Sequence, residues 1–181
     1  TRAKWMILLA RTDPEANNEE LIEIERMHPG VFFGFATFAP DDVNMLEKLK
    51  SFLARGGTGL KLYNGHYDFY GRYKIPLDAP HLMEVYAYCE KNRVPVIFHA
   101  NSRLYWDDLK RALDEHPKMV VNLPHFTMAL ITPSRMREIF DSYPNAYTDV
   151  SLGYHEWAYP SLEFISSRTE LFRKLIKKYK R

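Results

Sequence analysis

The stretch that most restricts the fold is Arg93–Asn101, RVPVIFHAN. Its centre, Val94-Pro95-Val96-Ile97-Phe98, is a short apolar run rich in β-branched and aromatic residues. With no polar residue in alternation, such a run reads as a strand covered on both faces, as in parallel sheets. It breaks off at once into His99-Ala100-Asn101-Ser102. Polar groups at the carboxyl end of a parallel strand stand where α/β folds place their ligands. The pattern recurs: Met119-Val120-Val121-Asn122-Leu123-Pro124 leads into His125. Two histidines therefore end strands of successive βα units, His99 and His125.

The rest of the chain extends this alternation. Strands are expected at Trp5–Ala10, Val31–Phe38, Leu60–Tyr63, Pro95–His99, Met119–Pro124 and Asn145–Ser151. Between them lie helical patterns. Asn17 or Asn18 is expected to cap a helix running to about Met27, which Pro29-Gly30 stops. Asp41 or Asp42 is expected to cap Val43–Ala54, with Leu46, Leu49 and Leu53 on one face. Further helices fit His81–Asn92, Tyr105–Glu115 and Pro133–Ser142, and one or two more close the chain over Pro160–Lys180. Gly34 inside the second strand marks a close backbone approach. The one long interruption, Asn64–Pro80, carries His66, Asp68 and Arg72 among four aromatic residues, and connections of that length tend to carry function or move.

Regular βα alternation demands a parallel sheet, open or closed. No G-x-G-x-x-G follows the first strand, which argues against dinucleotide binding. Polar chemistry at the ends of several strands is what a (β/α)8 TIM-type barrel supplies. The expected fold class is thus α/β, a TIM-type barrel, incomplete at about six βα units where a whole barrel takes about 250 residues. With no linker or low-complexity stretch, residues 1–181 read as one partial barrel domain.

Composition narrows the function. A formal net charge of +2 gives no global field to draw nucleic acid. The basic run at the C-terminus reads as the solvated face of a helix whose buried side is Leu171, Leu175 and Ile176. No run approaches the ~18 apolar residues of a membrane span and no signal peptide is visible. The lone Cys89 sits in a helical pattern, reads as a small core residue, and fits a reducing, cytoplasmic setting. The first residue is Thr1, which suggests a start inside a longer gene product. The expected partner is a small-molecule substrate, without nucleic acid or membrane, and with a homo-oligomer left open.

Gly59-Leu60-Lys61-Leu62, Pro95–His99, Asn122-Leu123-Pro124-His125 and Asn145–Ser151 come in a particular order and spacing. That ordered set resembles the amidohydrolase superfamily, in its metal-dependent hydrolase and decarboxylase branch, the aminocarboxymuconate semialdehyde decarboxylase type, over about Val31 to Ser151. The resemblance implies a divalent metal, Zn or else Mn, and a water that it activates against a small organic acid, ester or amide. It implies His99 as a metal ligand and His125 as the group that polarises or deprotonates the water. It also implies a His-x-His pair before the first strand seen here and an Asp after the last. Neither is found: no two histidines are spaced that way, and the chain ends in Lys177–Arg181. The strands seen here then match the second to seventh of the family, and the 181 residues alone are expected to lack a full ligand set and turnover.

Elementary chemistry agrees with these roles. Catalytic zinc takes about three nitrogen or oxygen ligands and an open position, and neutral imidazole on a rigid strand end suits it. A histidine titrating near neutrality can move the proton. Lys61 has two readings. It is a carbamylated bridge between metals, as in some superfamily members, or a cation for a substrate carboxylate or a neighbouring acid; the second is preferred because buried lysines take anionic partners. Tyr63 and His66 line the pocket or pack the aromatic loop onto the barrel. Asn101 and Ser151 stand at strand ends, within reach of substrate or of the turns they cap. Two rival functions remain: a non-catalytic βα domain or fragment with an incomplete site, and a TatD-like nuclease. The nuclease would want an acid at the end of the third strand, where this chain has Lys61, Tyr63 and Asn64.

Overall fold

The computed structural model describes residues 4–9, 15–64, 75–100, 105–124 and 133–149. His66, Asn101, His125, Ser151 and the helices expected over Pro160–Lys180 lie outside them. Within the described residues the elements alternate as β1 (Met6–Leu9), α1 (Asn18–Met27), β2 (Phe32–Thr37), α2 (Met45–Ala54), β3 (Gly59–Asn64), α3 (Pro80–Asn92), β4 (Val96–Ala100), α4 (Trp106–Glu115), β5 (Val121–Leu123), α5 (Pro133–Ser142) and β6 (Ala146–Thr148). The six strands form one sheet in sequential order. Every neighbouring pair is parallel. The sheet curls into part of a barrel.

Alternation along each strand divides the sheet into two faces. Leu60, Leu62, Val96, Phe98, Val121, Leu123 and Ala146 belong to one continuous core with helix residues such as Leu49, Phe52, Leu82, Val85, Tyr86, Leu109 and Leu113. Tyr86 of α3 meets Phe98 of β4 with ring centroids 5.6 Å apart. This is the outer, helix-covered face. Residues one step along each strand, among them Lys61, Tyr63, Ile97, His99 and Asn122, point to the inner face. Cys89 is buried in the helical layer, as expected, and burial pushes its thiol up to about 12.

Close approaches hold the strands and helices in place. At Gly34 an added Cβ would lie 3.0 Å from Leu21 Cβ, so α1 packs directly on β2 as the lone glycine in that strand suggested. The Gly34 amide donates to Glu25 Oε2 at 2.7 Å. At Gly59 an added Cβ would meet Phe35 Cε1 at 2.5 Å and Pro95 O at 2.7 Å. Only glycine lets the Phe35 ring lie across β3 while Leu60 N donates to Pro95 O at 3.0 Å.

Several local expectations need correction. Asn17 takes the N-cap position of α1 without a side-chain cap; its amide instead donates to Glu20 Oε2 at 2.8 Å. Asn18 is buried and works across the fold. It donates to Thr37 O at 3.1 Å and accepts from Thr37 N at 3.0 Å, pairing with the end of β2 as another strand would. Helix α2 starts at Met45, with Asn44 as its cap residue; Asp42 accepts from Asn44 N at 2.8 Å and pairs with Lys48 at 2.7 Å. Met45, Leu49 and Phe52 are its fully buried stripe, and Leu46 and Leu53 pack against the core on the flanks of Leu49. Strands β5 and β6 are three residues each, shorter than Met119–Pro124 and Asn145–Ser151.

Candidate functional site

Lys61, Tyr63 and His99 are brought together on the inner face by strand register. Lys61 stands level with Thr37 on one side and Ile97 on the other, and Ile97 with Asn122. Asn122 is level with Tyr147 of β6. One step toward the carboxyl ends, Tyr63 is paired with His99. The rows therefore rise toward the end of the sheet where barrel enzymes keep their chemistry.

The Lys61 side chain is 2% exposed and His99 is 7% exposed. The Lys61 ammonium lies 4.4 Å from the centre of the Tyr63 ring, a cation–π distance. On from Lys61, the Tyr63 ring meets the His99 imidazole at 5.4 Å with the planes 44° apart. Tyr63 is thus a ring shared by a cation and an imidazole on the inner face. Burial removes water from the Lys61 ammonium and brings its pKa down from 10.5 to about 7, while the negative charge of Asp149 pulls the other way.

The sequence alone assigns no role to Asn122 or Asp149. Asn122 Nδ2 donates to Asp149 Oδ2 at 2.7 Å, tying β5 to the end of β6 on the same face. Beside it, Thr148 Oγ1 donates to Leu123 O at 2.6 Å. The signal is present: Asn122 interrupts an otherwise apolar strand, and Asp149 follows two residues beyond its register partner Tyr147 in the next one. Of the other residues singled out, His66, Asn101, His125 and Ser151 lie outside the described residues.

For a metal, the inner face offers His99 imidazole and, further along the same rim, the Asp149 carboxylate, donor types that suit Zn²⁺. Among the described residues no group of three or more His, Cys, Asp and Glu side chains is assembled. The described part of the site supplies donors of the right kind but not a whole set. No helix among the described residues is long and apolar enough to cross a membrane.

Comparison with solved structures places this geometry. The fold resembles an uncharacterised TIM-barrel protein from Bordetella bronchiseptica at a TM-score of 0.68 and 17% identity, covering 91% of this chain and 60% of that one. It resembles a probable 2-pyrone-4,6-dicarboxylic acid hydrolase from Acinetobacter baumannii at 0.59 and 18%, covering 91% and 64%. A 2,6-dihydroxybenzoate decarboxylase is similar at 0.56 and 19%, covering 81% and 60%. The chain thus spans 60% and 64% of the length of the first two. No curated protein matches it. The amidohydrolase family model, however, matches residues 8–177, nearly the whole sequence. The inner-face site sits on a partial TIM-type barrel, and the chain belongs to the amidohydrolase family.

Proposed function

We propose that this chain carries the central part of a metal-dependent hydrolase or decarboxylase acting on a small organic acid, ester or amide. The observation that carries the reading is the row of Lys61, Tyr63 and His99 on the inner face of a family barrel, with Lys61 and His99 buried. A half-charged lysine inside a barrel has little structural use, since burying it costs stability, and it is well placed to receive an anion. Two of the similar structures hold carboxylates, citric acid in one and 2,6-dihydroxybenzoate in the other. A carboxylate substrate is therefore the class this row fits best.

In this reading His99 holds a divalent ion, Zn²⁺ with Mn²⁺ as the alternative, which when bound would supply Lewis acidity and make a nearby water more acidic. Lys61 pairs with the substrate carboxylate, and the Tyr63 ring keeps water from the ammonium and sets the position of the imidazole. His125 takes and returns the proton. His66, Asn101 and Ser151 complete the substrate contacts.

In the full-length protein, a panel of hydroxybenzoates, lactones and simple amides can be screened for CO₂ release or ring opening with Zn²⁺ or Mn²⁺. Lys61→Met is expected to raise KM with little change in kcat, the mark of lost ground-state binding. His125→Ala is expected to lower kcat by roughly 10²–10⁴-fold, the size of a lost general acid–base. Turnover that persists in full after removal of divalent ions, or that neither substitution changes, contradicts the reading.

A further inference from the structure

We propose that Thr37 is a second contact for the anion that Lys61 receives: its hydroxyl donates a hydrogen bond to one carboxylate oxygen while the ammonium pairs with the other. This deepens the carboxylate-binding reading above and rests on it.

The case starts from what is buried. Among the described residues four polar or charged side chains are buried: Asn18, Thr37, Lys61 and His99. Such groups cost stability unless a bond or a function offsets the loss of water. The Asn18 side chain is accounted for by its two bonds to the Thr37 backbone. The other three share the inner face. Thr37 is the register partner of Lys61 between β2 and β3. Paired residues of neighbouring parallel strands lie about 4.8 Å apart and point to the same side, so the hydroxyl stands beside the stem of the lysine. A carboxylate presents two oxygens, and one such group can meet a donor from each strand.

The position of Thr37 is fixed more firmly than a strand end requires. Strand β1 pairs with β2 only as far as Leu9 and Phe35, so among the described residues no strand lies level with Thr37 on that side. Asn18 takes that place, donating to Thr37 O at 3.1 Å and accepting from Thr37 N at 3.0 Å. The Glu15 amide adds a bond to Thr37 O at 2.9 Å. To make it, Glu15 holds φ at 72°, a left-handed conformation uncommon outside glycine. Its carboxylate is tied to Lys48 at 2.7 Å. Strained residues of this kind persist where the surroundings over-determine them, and they gather at ligand sites. The side chain thus held is a hydroxyl, which donates and accepts at once and can give its proton to a carboxylate while accepting from a neighbour. Bonds to a charged acceptor are the stronger ones, so the Thr37–Lys61 pair selects acids over esters and amides.

The test is calorimetric titration of the 181-residue chain with malonate. Wild type is expected to bind it and Lys61→Met to lose that binding. Thr37→Val keeps the shape and the backbone bonds but removes the donor; its affinity is expected to fall about tenfold or more. Thr37→Ser restores the hydroxyl and is expected to stay close to wild type. Should Thr37→Val not fold, carbon-13 NMR of wild type carries the test: the Thr37 γ-methyl and the Lys61 ε-carbon are expected to shift along one malonate binding curve. Thr37→Val binding as tightly as wild type, a loss that Thr37→Ser shares, or a Thr37 methyl that malonate leaves in place overturns the inference; if Lys61→Met still abolishes binding, the carboxylate reading stands without it. A wild-type chain that does not bind malonate refutes that reading and the inference together.

Discussion

Replacing Lys61 by Met is expected to stabilise this protein at neutral pH, and the size of the effect follows from its burial. The folded chain holds the Lys61 pKa near 7, against 10.5 for an ordinary lysine. Between those values the unfolded chain binds a proton that the folded chain has given up, so this group makes stability rise with pH across that window. At about 1.4 kcal/mol per pH unit the whole difference is about 5 kcal/mol, of which about 4 is in force at pH 7. Relaxation of the site lowers what is measured, and exchanges of buried charges for apolar groups gain about 1–4 kcal/mol. Urea unfolding followed by circular dichroism at pH 7, 8, 9 and 10 should therefore show Lys61→Met more stable by that amount at pH 7, with the gap closing as pH approaches 10. The Cys89 thiol, pushed up to about 12, acts in the opposite sense at alkaline pH in both proteins, so the difference between them isolates Lys61. A variant that unfolds at lower urea at pH 7, or a gap that stays constant with pH, would refute the reasoning.

Two other substitutions probe how the sheet is held. Asn18→Ala strips the end of β2 of both bonds to Thr37, leaving a buried backbone N–H without its partner, and should cost about 1–3 kcal/mol in the same unfolding assay. Gly59→Ala places a methyl 2.7 Å from Pro95 O and forces β3 from β4; a loss of about 1–3 kcal/mol or more is expected. A neutral result at either position would show that the strand ends are looser than described.

The architecture was legible because its signals are local. Short apolar runs, helices of 10 to 13 residues and turns rich in glycine and proline repeat in an order that only a parallel sheet accommodates. Strand-end positions of Lys61, Tyr63 and His99 could be read from the same runs. What the sequence could not show is pairing across distance. Asn18 looked like a helix cap because asparagine at a helix start usually is one; that it reaches Thr37 depends on where α1 lands on β2. The Asn122–Asp149 bond likewise depends on the register of β5 with β6, which no periodicity records. On α2 the face read from the leucines is the core-facing one, with Leu49 at its centre and Leu46 and Leu53 packed against the core; that Met45 and Phe52 are buried more deeply depends on how the helix lies on its neighbours.

The central claim, that the inner face holds a divalent ion through His99, is tested most directly by equilibrium dialysis of the 181-residue chain against Zn²⁺, with His99→Ala beside it. The account expects weak binding by wild type, since only part of a ligand set is in place among the described residues. His99→Ala should weaken it further, by about tenfold or more, because an imidazole ligand supplies a sizeable share of the binding free energy. One tightly held equivalent of zinc that His99→Ala leaves untouched would contradict the account and place the ligands elsewhere in the chain.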